Sequence, residues 1–495
     1  MTGHTDQPDV VVVGAGPAGL AAAATLGRHG ARVCVVDEQQ RPGGQIYRQP
    51  PAGFATAARH AAAGRALLAE AAAAPAVTWL PDTSVWGVFG TRAGLDDYAG
   101  RTPEPGRMLV AVHGPEGTGL LEPRALILTA GAYDLPVPFP GWTRPGVLTA
   151  GGVQTFLKAQ GLLPGQRVVL AGGHPLLLVV AAQLVEAGAE VVEVAFSQHR
   201  RDLVPGPAGL LAAAGNVGKL AEGAAALRTL RRARVPVRFG TIVRAALGDP
   251  HLTTVILADV DSDGRPVPGT DRHIDCQVLA LGYGFVPSTE LARQAGCEIL
   301  WRPADGGWVV RHDGWMRTSM PAISVAGELT GVAGAEQAET EGRLAALGVL
   351  LDLGLIDEDP AVAQARPVRR LLSRQRRFSA QILRRFAPDR AALSALVTDD
   401  TVLCRCEEVR AGDVRRALRE HPHLATANSV KLVTRAGMGL CQGRSCQPGL
   451  CQLIAAETGR SPEEIGVFTA QPPVKPIPLA SLADGPTDDP CRSPD

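Results

Sequence analysis

The chain of 495 residues lacks the features that mark a membrane-spanning or nucleic-acid-binding protein. It contains no run of about twenty uninterrupted apolar residues, so we expect no transmembrane helix. Its 49 Lys and Arg residues balance 49 Asp and Glu residues, which leaves no global field to recruit nucleic acid or an anionic membrane. The short polar N-terminus has no signal-peptide pattern, and we expect a cytoplasmic protein. A chain of this length predicts about three domains, and its 45% apolar residues are ample for several buried cores.

The stretch around which the chain is organised is residues 10–19, VVVVGAGPAG, where a run of β-branched residues breaks into glycines. This pattern predicts a strand, a phosphate-binding turn and a helix N-terminus. Gly14 permits the tight turn, and Gly16 lets backbone amides approach a pyrophosphate. Gly19 lets the helix pack closely on the strand, so that the positive end of the helix faces the diphosphate.

A second apolar strand, residues 32–36, ends in two acids, Asp37 and Glu38. An acid at this place can hydrogen-bond an adenosine ribose, and Asp37 is our first choice, with Glu38 second. The complete context of strand, turn, helix, strand and acid predicts dinucleotide binding but does not settle which dinucleotide binds. The contacts predicted from this unit are Gly14, Gly16, Pro17, Ala18, Gly19, Asp37 and Glu38.

Two further glycine turns extend this predicted site. Residues 41–46 contain two glycines that would let the backbone approach a ligand, although the same pattern fits a plain surface turn. The apolar strand 125–129 ends in Ala130 and Gly131, where an α/β sheet places its ligand contacts. The contacts predicted here are Gly43, Gly44, Gln45, Ala130 and Gly131.

The second half of the site is predicted near residue 327. Strand 323–326 runs into Gly327 and Glu328, which suit a ribityl hydroxyl, and a helix N-terminus at 334–337 would place positive charge beside a flavin ring. The alternative, a surface acid before an ordinary helix, is weakened by the matching first half of the site. The contacts predicted here are Gly327, Glu328, Glu336 and Gln337.

Residues 167–196 predict a second strand, helix and strand unit with an altered turn. His174 and Leu177 stand where the second and third glycines of a dinucleotide fingerprint would be. The closing strand ends in Ala195 and Phe196, with no acid to bind a ribose. NAD(P) is therefore a doubtful cofactor: a purely structural role for this unit is about as well supported as nicotinamide binding.

An arginine-rich stretch, residues 366–390, carries nine arginines and one acid on a helix-like pattern. The simpler interpretation is a solvated linker helix, and the sharper one is a docking face for an acidic partner subunit. Beyond residue 468 the chain is rich in proline, and we expect a disordered tail over 469–495.

Four cysteines form two close pairs, Cys404 with Cys406 and Cys441 with Cys446, separated by 34 residues. In a cytosolic protein such crowding favours metal binding over disulfides. Four thiolates suit zinc or an iron–sulfur cluster, and the spacing alone does not choose, although a C-x-C pair is unusual for structural zinc. Cys451 is interpreted as a core cysteine rather than a fifth ligand.

Six segments resemble the family of FAD-containing α subunits, also called A subunits, of bacterial dye-linked amine dehydrogenases. This family includes the A subunits of opine oxidases and the related proline, hydroxyproline and hydrogen cyanide-forming dehydrogenases. The resemblance runs from about residue 9 to 468. The segments are GAGPAGLAAA from Gly14, DEQQRPGGQIYR from Asp37, GAYDLPVPFPGWTRPGVLTAGG from Gly131, LGYGFVPSTEL from Leu281, AGELTGVAGAEQAETEGRLAA from Ala326 and CRCEEV from Cys404.

The resemblance implies an α/β fold with two dinucleotide-binding domains of the disulfide-reductase flavoprotein type and a small C-terminal helical [2Fe-2S] domain. The last domain is similar to bacterioferritin-associated ferredoxins, which implies a [2Fe-2S] cluster on Cys404, Cys406, Cys441 and Cys446. The redox-active C-x-x-C pair of true disulfide reductases is absent from the sequence. The implied domains are an FAD-binding domain (1–158 and 277–357), a degenerate NAD-like domain (159–276), an arginine-rich helical linker (358–398), the [2Fe-2S] domain (399–468) and the tail (469–495).

The resemblance also implies that amine oxidation takes place on a separate flavoprotein β subunit. The predicted function is thus an FAD and [2Fe-2S] electron-transfer subunit of a heteromeric dehydrogenase that oxidises a secondary amine or imino acid, such as an opine, proline or hydroxyproline. A small [2Fe-2S] γ subunit, an FMN at a subunit interface and membrane association through partners stay open, and no catalytic residue is assigned. The alternatives are an NAD(P)H-dependent ferredoxin-type reductase acting alone and a zinc or iron sensor.

Overall fold

The computed structural model describes residues 7–50, 60–90, 108–204 and 217–483. Within these ranges no helix is both long and apolar enough to cross a membrane. Two five-stranded parallel sheets, each covered by helices, make up most of the fold, and a small helical domain follows them.

The first sheet has the strand order 323–325, 125–128, 10–13, 33–36 and 77–80. All of these strands except the last, an edge strand, are buried because both faces of the sheet are covered. Along the central strand, Val10 and Val12 face the core beneath two helices, whereas Val11 and Val13 face a core shared with a three-stranded antiparallel sheet. This alternation explains why an unbroken valine run, rather than an apolar–polar pattern, forms the strand. The elements up to residue 134 are β1 (Val10–Val13), α1 (Pro17–Arg28), β2 (Val33–Val36), α2 (His60–Ala72), β3 (Val77–Leu80), β4 (Ser84–Phe89), β5 (Leu109–Gly114), β6 (Gly117–Leu121), β7 (Ala125–Leu128) and β8 (Ala132–Asp134).

The second sheet has the strand order 237–239, 190–196, 167–172, 278–282 and 147–149, so it begins before the predicted boundary at residue 159. Strand 147–149 pairs with 278–282 in this sheet, so the chain enters the second domain directly after a proline-rich connection, residues 136–145. Within that connection Phe139 and Trp142 are buried in the core of the second domain. The elements are β9 (Val147–Thr149), α3 (Ala150–Thr155), β10 (Arg167–Gly172), α4 (Leu176–Glu186), β11 (Glu190–Phe196), α5 (Val217–Arg232), β12 (Val237–Phe239), β13 (Thr241–Leu247), β14 (Thr254–Asp259), β15 (Arg272–Asp275) and β16 (Val278–Gly282).

The chain then returns to the first domain, where a long helix packs beside α1. A Cβ on Gly342 of this helix would overlap the Ala18 carbonyl oxygen, so only glycine allows the two helices to approach so closely. The elements are β17 (Phe285–Pro287), α6 (Glu290–Gln294), β18 (Ile299–Arg302), β19 (Gly307–Val310), β20 (Ile323–Val325), α7 (Ala335–Asp352), α8 (Glu358–Phe386) and α9 (Arg390–Ser394).

The arginine-rich linker is not a free solvated helix, because α8 packs against α7. Arg376 forms an ion pair of 3.0 Å with the buried Glu341, and Arg369 lies over the Trp315 ring at 4.0 Å. Arg366, Arg370, Arg374 and Arg377 remain exposed. One face of the helix therefore holds the linker on the first domain, and the docking face stays a prediction.

The last domain has its own apolar core between short helices. Residues 469–483, expected to be disordered, instead have defined positions: Val474 is 5% exposed and belongs to a core of the first domain. Residues 484–495 of the predicted tail lie outside the described residues. The elements are β21 (Val402–Cys404), β22 (Val409–Arg410), α10 (Ala411–Glu420), α11 (Ala427–Thr434), α12 (Gln447–Thr458), α13 (Pro462–Ile465) and α14 (Ala480–Ala483).

Candidate cofactor site and cysteine centre

The turn between β1 and α1 has the backbone geometry that its glycines predict. Gly14 has φ +102°, and a Cβ there would lie 2.6 Å from the Thr129 carbonyl oxygen. A Cβ on Gly19 would overlap the Gly14 carbonyl oxygen. Gly16 is different: a Cβ added there would lie 3.9 Å from its nearest neighbour, the Gly44 Cα, so it would meet no obstacle. Gly16 also borders an open cavity. The first and third glycines therefore serve packing, while the second leaves room for a ligand.

A cavity of about 700 Å³ lies over this turn and receives walls from both sheet domains. The positive N-termini of α1 and α7 both border it, as the sequence predicts for a diphosphate and a flavin ring. Twelve of the predicted residues line it, namely Gly14, Gly16, Pro17, Ala18, Asp37, Glu38, Gly44, Gln45, Ala130, Gly131, Gly327 and Glu328.

Four predicted residues lie behind this lining. Gly19 packs on the turn, and the Gly43 N–H donates to the Ala15 carbonyl at 2.8 Å. Gln337 is buried and donates to Glu341 at 3.1 Å. Glu336 borders a separate surface hollow that it shares with arginines. Helical geometry explains the last two departures, because successive side chains at a helix start point in different directions.

The two candidate ribose acids have different surroundings. Asp37 accepts hydrogen bonds from the backbone N–H groups of Ala15 and Gln39, the latter at 2.7 Å. Burial raises the pKa of Asp37, while these two hydrogen bonds oppose the shift. Glu38 instead pairs with Lys475 at 2.7 Å. Asp37 is thus built into the turn, and Glu38 lies at the entrance of the cavity beside a cation from the C-terminal segment.

The loop at residues 327–334 is organised by two carboxylates. Glu328 accepts the Gly334 N–H at 2.8 Å and the Ala333 N–H at 3.2 Å. Below the loop, the fully buried Glu341 accepts the Gly327 N–H at 3.0 Å and the Thr330 hydroxyl at 2.7 Å. Sequence reasoning missed Glu341. The sequence feature that could have indicated it is an acid placed among the residues of the buried face of α7.

The altered turn of the second domain uses its amides internally. The N–H groups of Gly173 and His174 donate to the Gly282 carbonyl at 2.9 and 2.8 Å. The Gln198 side chain donates to the Gly173 carbonyl at 3.0 Å. Burial lowers the pKa of His174 to about 4, and its ring lies edge-on to Phe285 at 5.1 Å. His174 is therefore a neutral side chain in the wall of the same cavity.

A partly buried acid that sequence reasoning also missed lies in the wall of this cavity. Asp134 accepts the Thr149 hydroxyl at 3.0 Å and the Gly151 N–H at 3.1 Å, which holds the start of α3. Burial raises the pKa of Asp134. Its bonds tie the strand that leaves the first domain to the helix that begins the second.

The four predicted cysteine ligands meet as two hydrogen-bonded pairs, Cys404 with Cys446 and Cys406 with Cys441. Among the described residues, no three His, Cys, Asp or Glu side chains converge as ligands of one metal ion. The Cys446 thiol and nearby backbone amides lower the pKa of Cys404 to about 5. Two thiol pairs surrounded by amide donors fit a binuclear [2Fe-2S] cluster, which takes four thiolates. Cys451 hydrogen-bonds the Gly466 carbonyl instead.

The cysteine loop adjoins the cavity through Arg444, which lies between Cys441 and Cys446. The Arg444 Nε–H donates to the Tyr133 hydroxyl at 3.0 Å, and Arg444 Nη1 donates to the Cys441 carbonyl at 3.3 Å. Both Arg444 and Tyr133 line the cavity. One guanidinium therefore contacts the candidate cofactor cavity and the cysteine loop together.

Comparisons with known proteins agree with this geometry. Residues 8–342 match the family described as pyridine nucleotide-disulphide oxidoreductase, and residues 402–456 match the BFD-like [2Fe-2S] binding domain. The chain is 36% identical to the A subunit of opine oxidase from Agrobacterium tumefaciens (strain Ach5), over 97% of this chain and 92% of the relative. It is 33% identical to hydrogen cyanide synthase subunit HcnB of Pseudomonas aeruginosa, over 95% and 97% of the two chains.

Among solved structures, L-proline dehydrogenase from P. horikoshii has the same fold, with a TM-score of 0.66 and 20% identity. The superposition covers 96% of this chain and 79% of that chain. The predicted fold class is confirmed. The two matched domains indicate FAD and a [2Fe-2S] cluster as cofactors.

Proposed function

The chain belongs to the pyridine nucleotide-disulphide oxidoreductase family and is similar to HcnB and the A subunit of opine oxidase. From this we propose that it relays electrons within a heteromeric amine dehydrogenase. It is an FAD-dependent oxidoreductase with a [2Fe-2S] domain. In the proposed complex a flavoprotein β subunit removes two electrons and two protons from a secondary amine or imino acid. The electrons then pass through this chain to an acceptor outside it.

The observation that carries the proposal is the short connection between the cavity and the cysteine loop. Arg444 donates to Tyr133 on the cavity side and to the Cys441 carbonyl on the cysteine side. A polypeptide whose two redox sites share one side chain is suited to transfer between them. Bound FAD supplies two-electron chemistry and the [2Fe-2S] cluster one-electron transfer.

The chain's own residues bind and orient rather than react. The N-termini of α1 and α7 present positive charge to the cavity. Two acids of the lining accept backbone N–H groups: Asp134 from the start of α3 and Glu328 from the 327–334 loop. Burial keeps His174 neutral. These groups are engaged in holding the cavity's shape, which supports amine oxidation on a partner subunit.

The alternative, a self-sufficient NAD(P)H-dependent reductase, is less well supported. A nicotinamide dinucleotide bound in the second domain would need the turn amides at residues 173 and 174 for its diphosphate. Both amides donate to the Gly282 carbonyl. Leu177 replaces a fingerprint glycine and is fully buried, so the turn is occupied by protein.

The deciding experiment is an anaerobic absorption spectrum of the purified chain, before and after NADH and then dithionite. We expect flavin bands with a thiolate–iron shoulder that dithionite bleaches and NADH does not. Rapid bleaching by NADH would refute the relay role and favour the reductase. Flavin bands accompanied by bound zinc, without the iron shoulder, would refute transfer through the cysteine centre.

A second arm tests the partner. Adding a candidate amine together with a co-purified β subunit should bleach the same bands under anaerobic conditions. The amine alone should leave them unchanged, because in this proposal its oxidation takes place on the partner. Bleaching by the amine in the isolated chain would contradict the proposal.

A further inference from the structure

The chain beyond the cysteine domain returns to the first domain, where Val474 and Lys475 line the cavity. We call residues 469–477 the strap. The Val474 N–H donates to the Trp86 carbonyl at 2.8 Å, and Val474 is only 5% exposed. Ile477 packs against the cluster that contains Trp86 and Phe89. The proline-rich composition of the strap thus coexists with two apolar anchors on the first domain.

The strap also places a cation in the cavity wall. Lys475 pairs with Glu38 at 2.7 Å, and both residues line the cavity. Burial disfavours the charged ammonium, but interactions with Tyr133 and Glu38 outweigh this effect and raise the pKa of Lys475. Glu38 follows Asp37, the candidate ribose acid, so Lys475 closes the cavity at its adenosine end.

The same few residues hold the cysteine loop. The Val474 carbonyl accepts the Arg444 guanidinium at 2.5 Å, and the Pro473 carbonyl accepts the Gln442 side chain at 2.7 Å. Arg444 and Gln442 both lie between the ligand candidates Cys441 and Cys446. One short segment is therefore bonded to the first domain, the cavity wall and the cysteine loop.

We propose that the strap is part of the FAD site: it closes the cavity over the adenosine half of the cofactor and fixes the cysteine loop against the cavity. This inference rests on the assignment of FAD to the cavity. Lys475 and Val474 are positioning residues, since Lys475 holds Glu38 at the entrance and Val474 holds Arg444. Opening the strap exposes the bound dinucleotide to solvent and frees the cysteine loop.

The test measures the rate at which FAD leaves the full-length holoprotein, from the recovery of free-flavin fluorescence after dilution. A chain that ends after Phe468 loses the strap, whereas a chain that ends after Ala483 keeps every strap contact and is the control. Lys475→Met removes the ammonium that interacts with Glu38 and Tyr133. Gln471→Ala, at an exposed strap position, is its matched control.

We expect release about tenfold faster after removal of the strap, because the hydrogen bonds of Val474 to Trp86 and Arg444 are both lost. We expect about threefold faster release for Lys475→Met, as for a partly exposed ion pair. Both controls should release FAD at the parent rate. If Lys475→Met and the strapless chain both release FAD at the parent rate, the proposed role of the strap is overturned, while the assignment of FAD to the cavity stays intact.

Failure of the parent chain to bind FAD would instead overturn the cavity assignment and the strap with it. If the strapless chain does not fold, amide hydrogen exchange of the strap in the full-length protein tests the proposal instead. The Val474 amide should exchange more slowly in the FAD-loaded protein than in the apoprotein. Equal protection in both states would show a purely structural segment and overturn the proposal.

Discussion

Replacing Arg376 by methionine would leave a buried charge without its counter-ion. The Glu341 side chain is 1% exposed, and Arg376 Nη2 lies 3.0 Å from its Oε1. The carboxylate also accepts the Gly327 N–H, the Thr330 hydroxyl and the Gln337 amide. These three neutral donors would have to hold the charge alone in the Arg376→Met variant.

The size of the loss follows from this arrangement. Removing one partner of a buried pair costs about 3–5 kcal/mol. The three remaining donors and the exposure of Arg376, whose side chain is 43% accessible, place the expected loss lower, at about 2–3 kcal/mol. For a domain of this size that lowers Tm by roughly 4–12 °C. FAD affinity should fall as well, because Glu341 positions Gly327 in the cavity wall.

Thermal unfolding and FAD titration of Arg376→Met test this reasoning, with Arg377→Met as the matched control. Arg377 is the next residue on the same helix and is exposed, so its loss should change stability by less than about 0.5 kcal/mol. Arg376→Lys should recover part of the stability, because the charge returns without the planar guanidinium. Equal melting temperatures for the two methionine variants would refute a charge-compensating role of Arg376.

Substitutions in the glycine turn, the cysteine loop and the helical segment at Lys158 give further tests. Gly16→Ala should weaken FAD binding in a titration with little change in Tm, because the added Cβ has space in the protein but borders the cavity. Gly19→Ala should instead lower Tm, because its Cβ would overlap the Gly14 carbonyl oxygen. Cys404→Ser should abolish the iron–sulfur absorbance, whereas Cys451→Ser should retain it; equal spectra would contradict the ligand set. Burial lowers the pKa of Lys158 to about 8, so Lys158→Met should stabilise the protein at pH 7 by up to about 3 kcal/mol. This gain should be full below pH 8 and shrink toward pH 10.5, where the lysine of the unfolded chain also loses its proton. A difference in the free energy of denaturant unfolding that does not change with pH would refute the prediction.

The parts of the site that sequence predicts are those encoded locally. Gly14, Gly16 and Gly19 act through backbone conformation and space within one turn, so their spacing carries the information. The cysteine pairs are likewise recognisable from spacing. Glu341 and Arg376 are 35 residues apart on two helices, and nothing in either helix pattern indicates that these two charges meet.

The strap shows a different limit of sequence reasoning. Its composition predicts disorder, because prolines remove backbone donors and few residues are apolar. Composition describes what a segment can stabilise by itself, whereas the strap is held by docking. The Trp86 carbonyl, Glu38 and Arg444 all lie outside it. The composition of the strap alone therefore cannot predict its order, because the groups that hold it lie far away in the sequence.

We propose that the second domain contributes shape to the site rather than a second nucleotide. Binding a diphosphate at its turn would require breaking the bonds of the Gly173 and His174 amides to the Gly282 carbonyl, at about 1 kcal/mol each. It would also require moving Leu177, which fills the space that a third glycine would leave. In the present arrangement the same turn presents a neutral imidazole to the cavity of the first domain. In our proposal the fold with two dinucleotide domains serves one dinucleotide, and the second domain forms a wall of the first domain's site.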